Sequence, residues 1–355
     1  LHYTQSEKVI FNIKNINFYL KGINMKKIIN LPEDYVKEML KGLADAKPDT
    51  IGYIPEKRII YRKDPFSSKV SLVSGSGSGH EPDQAFYVGK GMLDAACAGP
   101  VFAAPTLDAI VDTARLIDKG RGVLFLVKNY TGDRANFEMA SEMIEFEGGP
   151  IVETVIINDD VAVKDSTFTA GRRGVAGAIF VYKIVGAKSE EGTNIDELKK
   201  LAQDVNANVR TMGYALKSCT HPEKGTPTFE LGSDEMELGV GLHGEPGRQR
   251  IKIERANVTI NRMLESIISD LPFESGCEVA LMVNGLGGTP ISELYIACSV
   301  AHDILKANGI KVFKSYVNNY CTSLDMEGCS ISLLKLNEEF KRLLLEPVDI
   351  PIRYF

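Results

Sequence analysis

Short apolar runs that end in polar or glycine-rich loops, each followed by a helix-period stretch, constrain this chain more than any other feature. KVSLVSG (69–75), RGVLFLVKNYTGD (121–133) and IVETVIIND (151–159) read as strands, with amphipathic helices at 109–119 and 137–147 between them. That alternation selects an α/β domain with a largely parallel sheet, because a parallel pair needs a crossover long enough to hold a helix. GRRG (171–174) is expected to open a helical stretch to about residue 187, and a second helix is expected over 194–216. The stretch 217–239 is rich in Pro, Gly, Ser and Thr and reads as loop. Beyond it come a helix at 257–269, strand and loop EVALMVNGLGG (278–288), a helix at 292–307 and strand IKVFKSYVNN (310–319). The expected architecture is two α/β domains, 25–210 and 211–355, each with a central mixed or largely parallel sheet flanked by helices. A length of 355 residues agrees, being too long for one ordinary core.

Composition narrows the functional classes. The formal charge is −6 with no basic patch, which argues against a nucleic-acid partner. No apolar run reaches the roughly 18 residues of a membrane span. The six cysteines, at 97, 219, 277, 298, 321 and 329, include no CxxC pair. They read as reduced thiols of a cytoplasmic protein, and no metal site is expected. Residues 1–24 lack the pattern of a secretory signal, and Met25-Lys26-Lys27 reads as a natural start. The segment before it is taken as an N-terminal extension, the alternative being an arm packed on the body.

The string SGSGSGHEP (74–82) poses the functional question. Alternating glycines at a strand end serve a tight turn, a phosphate cradle, or a backbone nest for a small polar ligand beside a histidine. A P-loop requires GxxxxGK[ST], and the chain contains none. Neither GSGSGH (75–80) nor GLGGTP (285–290) places the third glycine of a dinucleotide fingerprint in register. No kinase HRD or DFG string occurs either. The chain is therefore not expected to bind a nucleotide by itself. Of its five histidines, His302 reads as a helix-surface residue, His221 as an exposed loop residue, and His2 lies in the extension. His80 and His243 stand apart, each in a glycine-rich loop and closely followed by Glu-Pro. Singly, each reads as a loop histidine bonded to its own turn.

Taken in order, SGSGSGHEP, GKGMLDAACAGPVF, VKNYTGD, INDDVAV, GRRGVAG, GVGLHGEPG, VNGLGGTP and NYCTSLDMEG span roughly residues 25–355. The series closely resembles the dihydroxyacetone kinase family, and within it the substrate-binding K subunit. The resemblance implies that His243 adds to the carbonyl of dihydroxyacetone and holds it as a covalent hemiaminal. It implies substrate contacts from Gly77, Ser78, Gly79 and His80, a part for Lys128 through its backbone or neighbourhood, and Asp133 acting on the hydroxyl that is phosphorylated. No cofactor is implied in this chain. ADP or ATP with magnesium belongs, by the resemblance, to a separate L subunit recharged from phosphoenolpyruvate through a phosphotransferase-system relay, and the K subunit is a homodimer. The acidic pairs Asp159-Asp160 and Asp234-Glu235 do not resemble the family's magnesium site, and the first reads as a strand-end turn.

The residue chemistry suits these roles. A neutral imidazole is a competent nucleophile near pH 7. A covalent link selects ketones over glycerol, and a tethered substrate gains in proximity. A carboxylate can accept the hydroxyl proton as phosphate is transferred. The chain departs from the family pattern at Ser76, where GGGSGHEP has glycine, and at DQAFYVGKG (83–91). Asp83, Gln84, Phe86 and Tyr87 are candidates for the pocket rim or dimer contact, so the preferred ketose, dihydroxyacetone or one such as erythrulose, stays open. A rival class resembles the same subunit: coactivators of transcription regulators that bind dihydroxyacetone without catalysis. The intact KNYTGD string, with Asp133, favours the kinase.

Overall fold

A computed structural model describes residues 26–63, 69–163, 171–245 and 247–352. The extension assigned to residues 1–24 lies outside them. The chain begins with helix α1 (Tyr35–Ala46), strands β1 (Ile51–Ile54), β2 (Ile59–Arg62), β3 (Ser71–Ser78) and β4 (Ala95–Val101), and helix α2 (Leu107–Ile117). It continues through β5 (Val123–Lys128), α3 (Thr131–Phe146), β6 (Val152–Ile157), α4 (Ala178–Glu190), α5 (Ile195–Ala207) and β7 (Val209–Lys217). The remaining elements are β8 (Glu235–Leu238), β9 (Gln249–Lys252), α6 (Ala256–Asp270), β10 (Glu278–Gly285), α7 (Ile291–Ala307), β11 (Lys311–Asn318), β12 (Glu327–Lys335) and α8 (Glu338–Leu345).

The strands form two six-stranded sheets, ordered β1-β2-β4-β3-β5-β6 and β11-β10-β12-β7-β8-β9. The expected two α/β sheets are present, and both are mixed. In the first, β4, β3, β5 and β6 run parallel and the β1–β2 hairpin adds antiparallel strands at one edge. In the second, only β10 and β11 pair in parallel. Helix α4 lies between the two sheets, and eleven of its thirteen residues are buried. A helix apolar on all sides is a core helix. Its residues share one hydrophobic cluster with Leu124 and Leu126 of the first sheet and Ala280, Met282 and Leu334 of the second. Lys183 on α4 donates to the carbonyl of Leu343, 2.6 Å away, which fastens α8 to it.

The stretch read as loop over 217–239 contains strand β8, the helix expected at 137 starts at Thr131, and three further expectations require correction. The helix expected over 194–216 stops at Ala207, and Val209–Lys217 is a strand. Its start is legible, since the Asn194 side chain accepts from the Glu197 amide at 3.0 Å. Its end is set by antiparallel pairing with β12, more than a hundred residues away, which places Gly213 opposite Ser330. No local signal reports that partner, whereas glycine inside a helix costs about 1 kcal/mol. The second correction concerns GRRG: 171–177 is irregular, and α4 starts only at Ala178. Asp159 sets that start, accepting from the amides of Val175 and Gly177 at 2.8 Å. The third correction is that the glycine string is not a loop. Gly75, Ser76, Gly77 and Ser78 continue β3 in register with Cys97, Ala98, Gly99 and Val101 of β4.

Candidate functional site

The ends of β3, β4 and β5, which point the same way in the parallel part of the first sheet, meet the loop between β8 and β9 of the second. Ligands lie outside the carboxyl ends of such strands. There a cavity of about 330 Å³ is lined by Ser76, Gly77, Phe102, Tyr130, Asp133 and His243, among others. A larger groove, about 650 Å³, lies between α3 and the β6 edge, but its titratable lining is Arg134 and glutamates, with no histidine. The smaller cavity, lined by a histidine and a buried carboxylate, is the candidate site.

His243 is fixed by Glu245 two residues on. One carboxylate oxygen accepts from the His243 amide at 2.9 Å, and the other lies 2.9 Å from Nδ1. Burial pushes Glu245 up, but the charge and hydrogen bond of His243, with the charge of Arg173, outweigh it and hold the carboxyl at about 2. An ionised carboxylate only accepts, so Nδ1 carries a proton, and when the ring is neutral its lone pair is on Nε2. That is the tautomer a nucleophile needs. Gly241 makes this packing possible, because a Cβ there would lie 2.1 Å from Glu245 and 2.5 Å from Arg173.

His80 is wholly buried and held from the second sheet. Its Nδ1 lies 2.8 Å from the carbonyl of Thr322, which can only accept, while Nε2 is buried with no partner among the described residues. Burial, then the charges of Lys128 and His243, push His80 well below the usual histidine value despite the Thr322 bond. The ring is neutral and presents Nε2 as an acceptor. The loops are joined through the backbone: Thr322 N donates to His80 O and Leu324 N to Gly79 O. Asn284 supports this clamp, accepting from the amides of Tyr320 and Cys321 at 2.7 and 2.9 Å. The strings VNGLGGTP and NYCTSLDMEG thus supply the frame that aims His80. Gly79 turns the chain at φ 99°, a conformation that favours glycine.

Asp133 stands in the first turn of α3, buried, and accepts from Ser76 Oγ at 2.6 Å. Burial raises its carboxyl to about 6, although the Ser76 bond and the charges of Lys128 and His243 pull the other way. The structure thus brings His80, His243 and Asp133 together, with ring centroids of the two histidines 4.8 Å apart. Gly77 lines the cavity. Ser78 instead donates to Gly99 O at 2.8 Å, and the Gly79 amide donates to the Glu81 carboxylate. Lys128 lies behind the wall, its ammonium 2.7 Å from Asp83 with both side chains fully buried.

Sequence reasoning missed Glu245, Phe102 and Tyr130. Phe102, in the left-handed region at φ 57°, stacks on His80 at 5.1 Å and meets His243 edge-on at 5.2 Å. The Tyr130 ring meets His243 edge-on at 4.5 Å, and its hydroxyl is buried without a partner among the described residues. The Glu245 signal was available, as an acid two residues after the histidine. His221, expected to be exposed, is buried against Phe102 at 5.8 Å, with Nδ1 accepting from the Glu223 amide. Of the four supposed rim residues, Asp83, Gln84 and Tyr87 are buried, with Tyr87 donating to Tyr320 O at 2.7 Å, while Phe86 is half-buried and lines a separate groove. Asp160 is likewise no simple turn residue; it holds the buried Arg173 at 2.7 Å. Among the described residues no group of His, Cys, Asp and Glu is arranged to hold a metal, and no helix is long and apolar enough to cross a membrane.

Comparison with known proteins finds similarity over most of the chain. The Dak1 domain matches residues 41–352. The chain is 47% identical over 326 residues to the dihydroxyacetone-binding subunit of PTS-dependent dihydroxyacetone kinase 1 of Listeria innocua, covering 92% of this chain and 99% of that one. It is 40% identical over 351 residues to the corresponding subunit of the PEP-dependent kinase of Escherichia coli, covering 92% and 98%. Among solved structures, the dihydroxyacetone kinase of C. freundii superposes with a TM-score of 0.86 at 32% identity. The match covers 92% of this chain but 60% of that longer one. A dihydroxyacetone kinase operon co-activator superposes with a TM-score of 0.83 at 34% identity, covering 88% and 96%.

Proposed function

The chain belongs to the dihydroxyacetone kinase family, and from that premise we propose that it is the substrate-binding subunit of a two-part kinase for dihydroxyacetone or a related short ketose. One arrangement carries the reading: a histidine held by both oxygens of one carboxylate lines a small cavity together with a second carboxylate, and a buried neutral histidine packs against it with ring centroids 4.8 Å apart. His243 Nε2 adds to the carbonyl carbon, the carbonyl π pair moves to oxygen, and that oxygen takes up a proton from solvent, while the ring becomes an imidazolium that keeps its Nδ1 proton, donated to Glu245. The product is a hemiaminal. Glu245 offsets the positive charge that develops on the ring. Glycerol has no carbonyl and cannot be held this way.

His80 Nε2 accepts a hydrogen bond from a substrate hydroxyl and orients it. Asp133 accepts the proton of the terminal hydroxyl as that oxygen attacks phosphorus. A carboxyl near 6 is ionised at pH 7 yet basic enough for this work. The phosphoryl group comes from a separate L subunit that carries ADP or ATP with magnesium and is recharged from phosphoenolpyruvate through a phosphotransferase-system relay. The subunit acts in the cytoplasm, as a homodimer. Asp133 also separates this reading from a non-catalytic coactivator, which needs the hemiaminal histidine but no base.

The test reconstitutes the purified chain with the L subunit of a related phosphoenolpyruvate-dependent kinase and its relay proteins. Wild type turns over. Asp133→Ala still captures ketone but loses turnover by roughly 10²- to 10⁴-fold. Capture without turnover by the wild type would favour the coactivator, and a fully active Asp133→Ala would remove the base assignment.

A further inference from the structure

The serine at position 76, where the resembling pattern has glycine, lies extended within β3 with its side chain buried at the cavity. Its hydroxyl donates to Oδ2 of Asp133 at 2.6 Å. The backbone of Ser76 is in register with Ala98 of β4, so the hydroxyl is carried by a rigid strand rather than a loop. Asp133 itself stands on the first turn of a sixteen-residue helix. One strand and one helix thus fix the two ends of a single short hydrogen bond at the cavity wall.

We propose that Ser76 is a positioning residue for phosphoryl acceptance: it holds one oxygen of Asp133 and turns the other, Oδ1, toward the substrate hydroxyl. The inference rests on the role proposed above for Asp133. A donor bonded to a carboxylate favours its ionised form. Ser76 therefore does two things, fixing the rotamer of the base and keeping it ionised despite burial. A glycine at this position does neither, and such a site must orient its carboxylate by other means. The proton path is unchanged: the substrate O–H proton moves to Oδ1 while Oδ2 keeps its bond to Ser76.

Two measurements test this. In the reconstituted kinase, Ser76→Ala is expected to lower kcat about tenfold at pH 7 and to move the acid limb of the pH profile upward by on the order of one pH unit. KM and ketone capture on His243 stay unchanged. In the chain alone, carbon NMR of carboxyl-labelled aspartate should show Asp133 titrating higher in Ser76→Ala. Ser76→Thr, which restores the hydroxyl, should return both readouts toward wild type. If Asp133→Asn is inactive while Ser76→Ala keeps the wild-type profile and titration, this inference alone falls. If Asp133→Asn stays active, the proposed function itself is at fault.

Discussion

Replacing Glu245 by glutamine tests whether the carboxylate sets the state of the nucleophile. The wild-type group receives two hydrogen bonds, from the His243 amide and Nδ1, each at 2.9 Å. Glutamine offers one acceptor and one donor where two acceptors are needed. If its oxygen faces the amide, its NH₂ faces Nδ1, and the ring must move its proton to Nε2, which removes the nucleophilic lone pair. If its oxygen faces Nδ1, the NH₂ meets the amide N–H and the loop is strained. Either way one hydrogen bond to a charged group is lost, worth about 1.5–3 kcal/mol. At about 1.4 kcal/mol per tenfold, ketone capture weakens by roughly tenfold to a hundredfold. The assay is titration of Glu245→Gln with dihydroxyacetone by calorimetry, with circular dichroism to verify the fold. Wild-type affinity in a folded Glu245→Gln would refute the claim that the carboxylate sets the tautomer.

Other perturbations separate chemistry from packing. The Asp133 carboxyl is raised by burial from 3.8 to about 6, so the folded chain binds more protons than the unfolded chain across that window. Its contribution to stability is therefore largest below about 4 and is lost as pH rises to 6. Asp133→Asn should stabilise the protein at pH 7 by about 2–3 kcal/mol in chemical denaturation while abolishing turnover. A stability loss there would contradict the burial argument. Lys128→Met leaves Asp83 as an unpaired buried charge and should cost about 3–5 kcal/mol. Adding Asp83→Leu should recover much of that in a thermal melt, and a pure KM effect without destabilisation would show that Lys128 reaches the substrate. Phe102→Gly relieves about 1 kcal/mol of left-handed strain yet unpacks both histidines. Capture should weaken at least tenfold by the same calorimetry, and unchanged affinity would show that the ring plays no part in the site.

Much of the site was legible because its chemistry is written locally. Glu-Pro follows both His80 and His243 closely, and KNYTGD marks a strand end. What escaped was set by contacts distant in sequence. β7 looked like the tail of a helix because its partner β12 lies beyond residue 326. His221 looked exposed because Phe102, which covers it, lies just past β4 of the first sheet, more than a hundred residues earlier. Lys128, in a functional string, has a structural partner in Asp83, forty-five residues earlier. The same rule accounts for Ser76. As a departure from glycine it mattered only if the backbone needed a positive φ, and its value lies instead in a hydroxyl aimed at a residue on another element.

Covalent capture by His243 is the central claim, and carbon NMR with dihydroxyacetone labelled at the carbonyl tests it most directly. The account predicts a bound signal at a tetrahedral carbon shift in the wild type, absent from His243→Ala. A bound signal that stays at the ketone shift, or a tetrahedral signal that survives in His243→Ala, would contradict it.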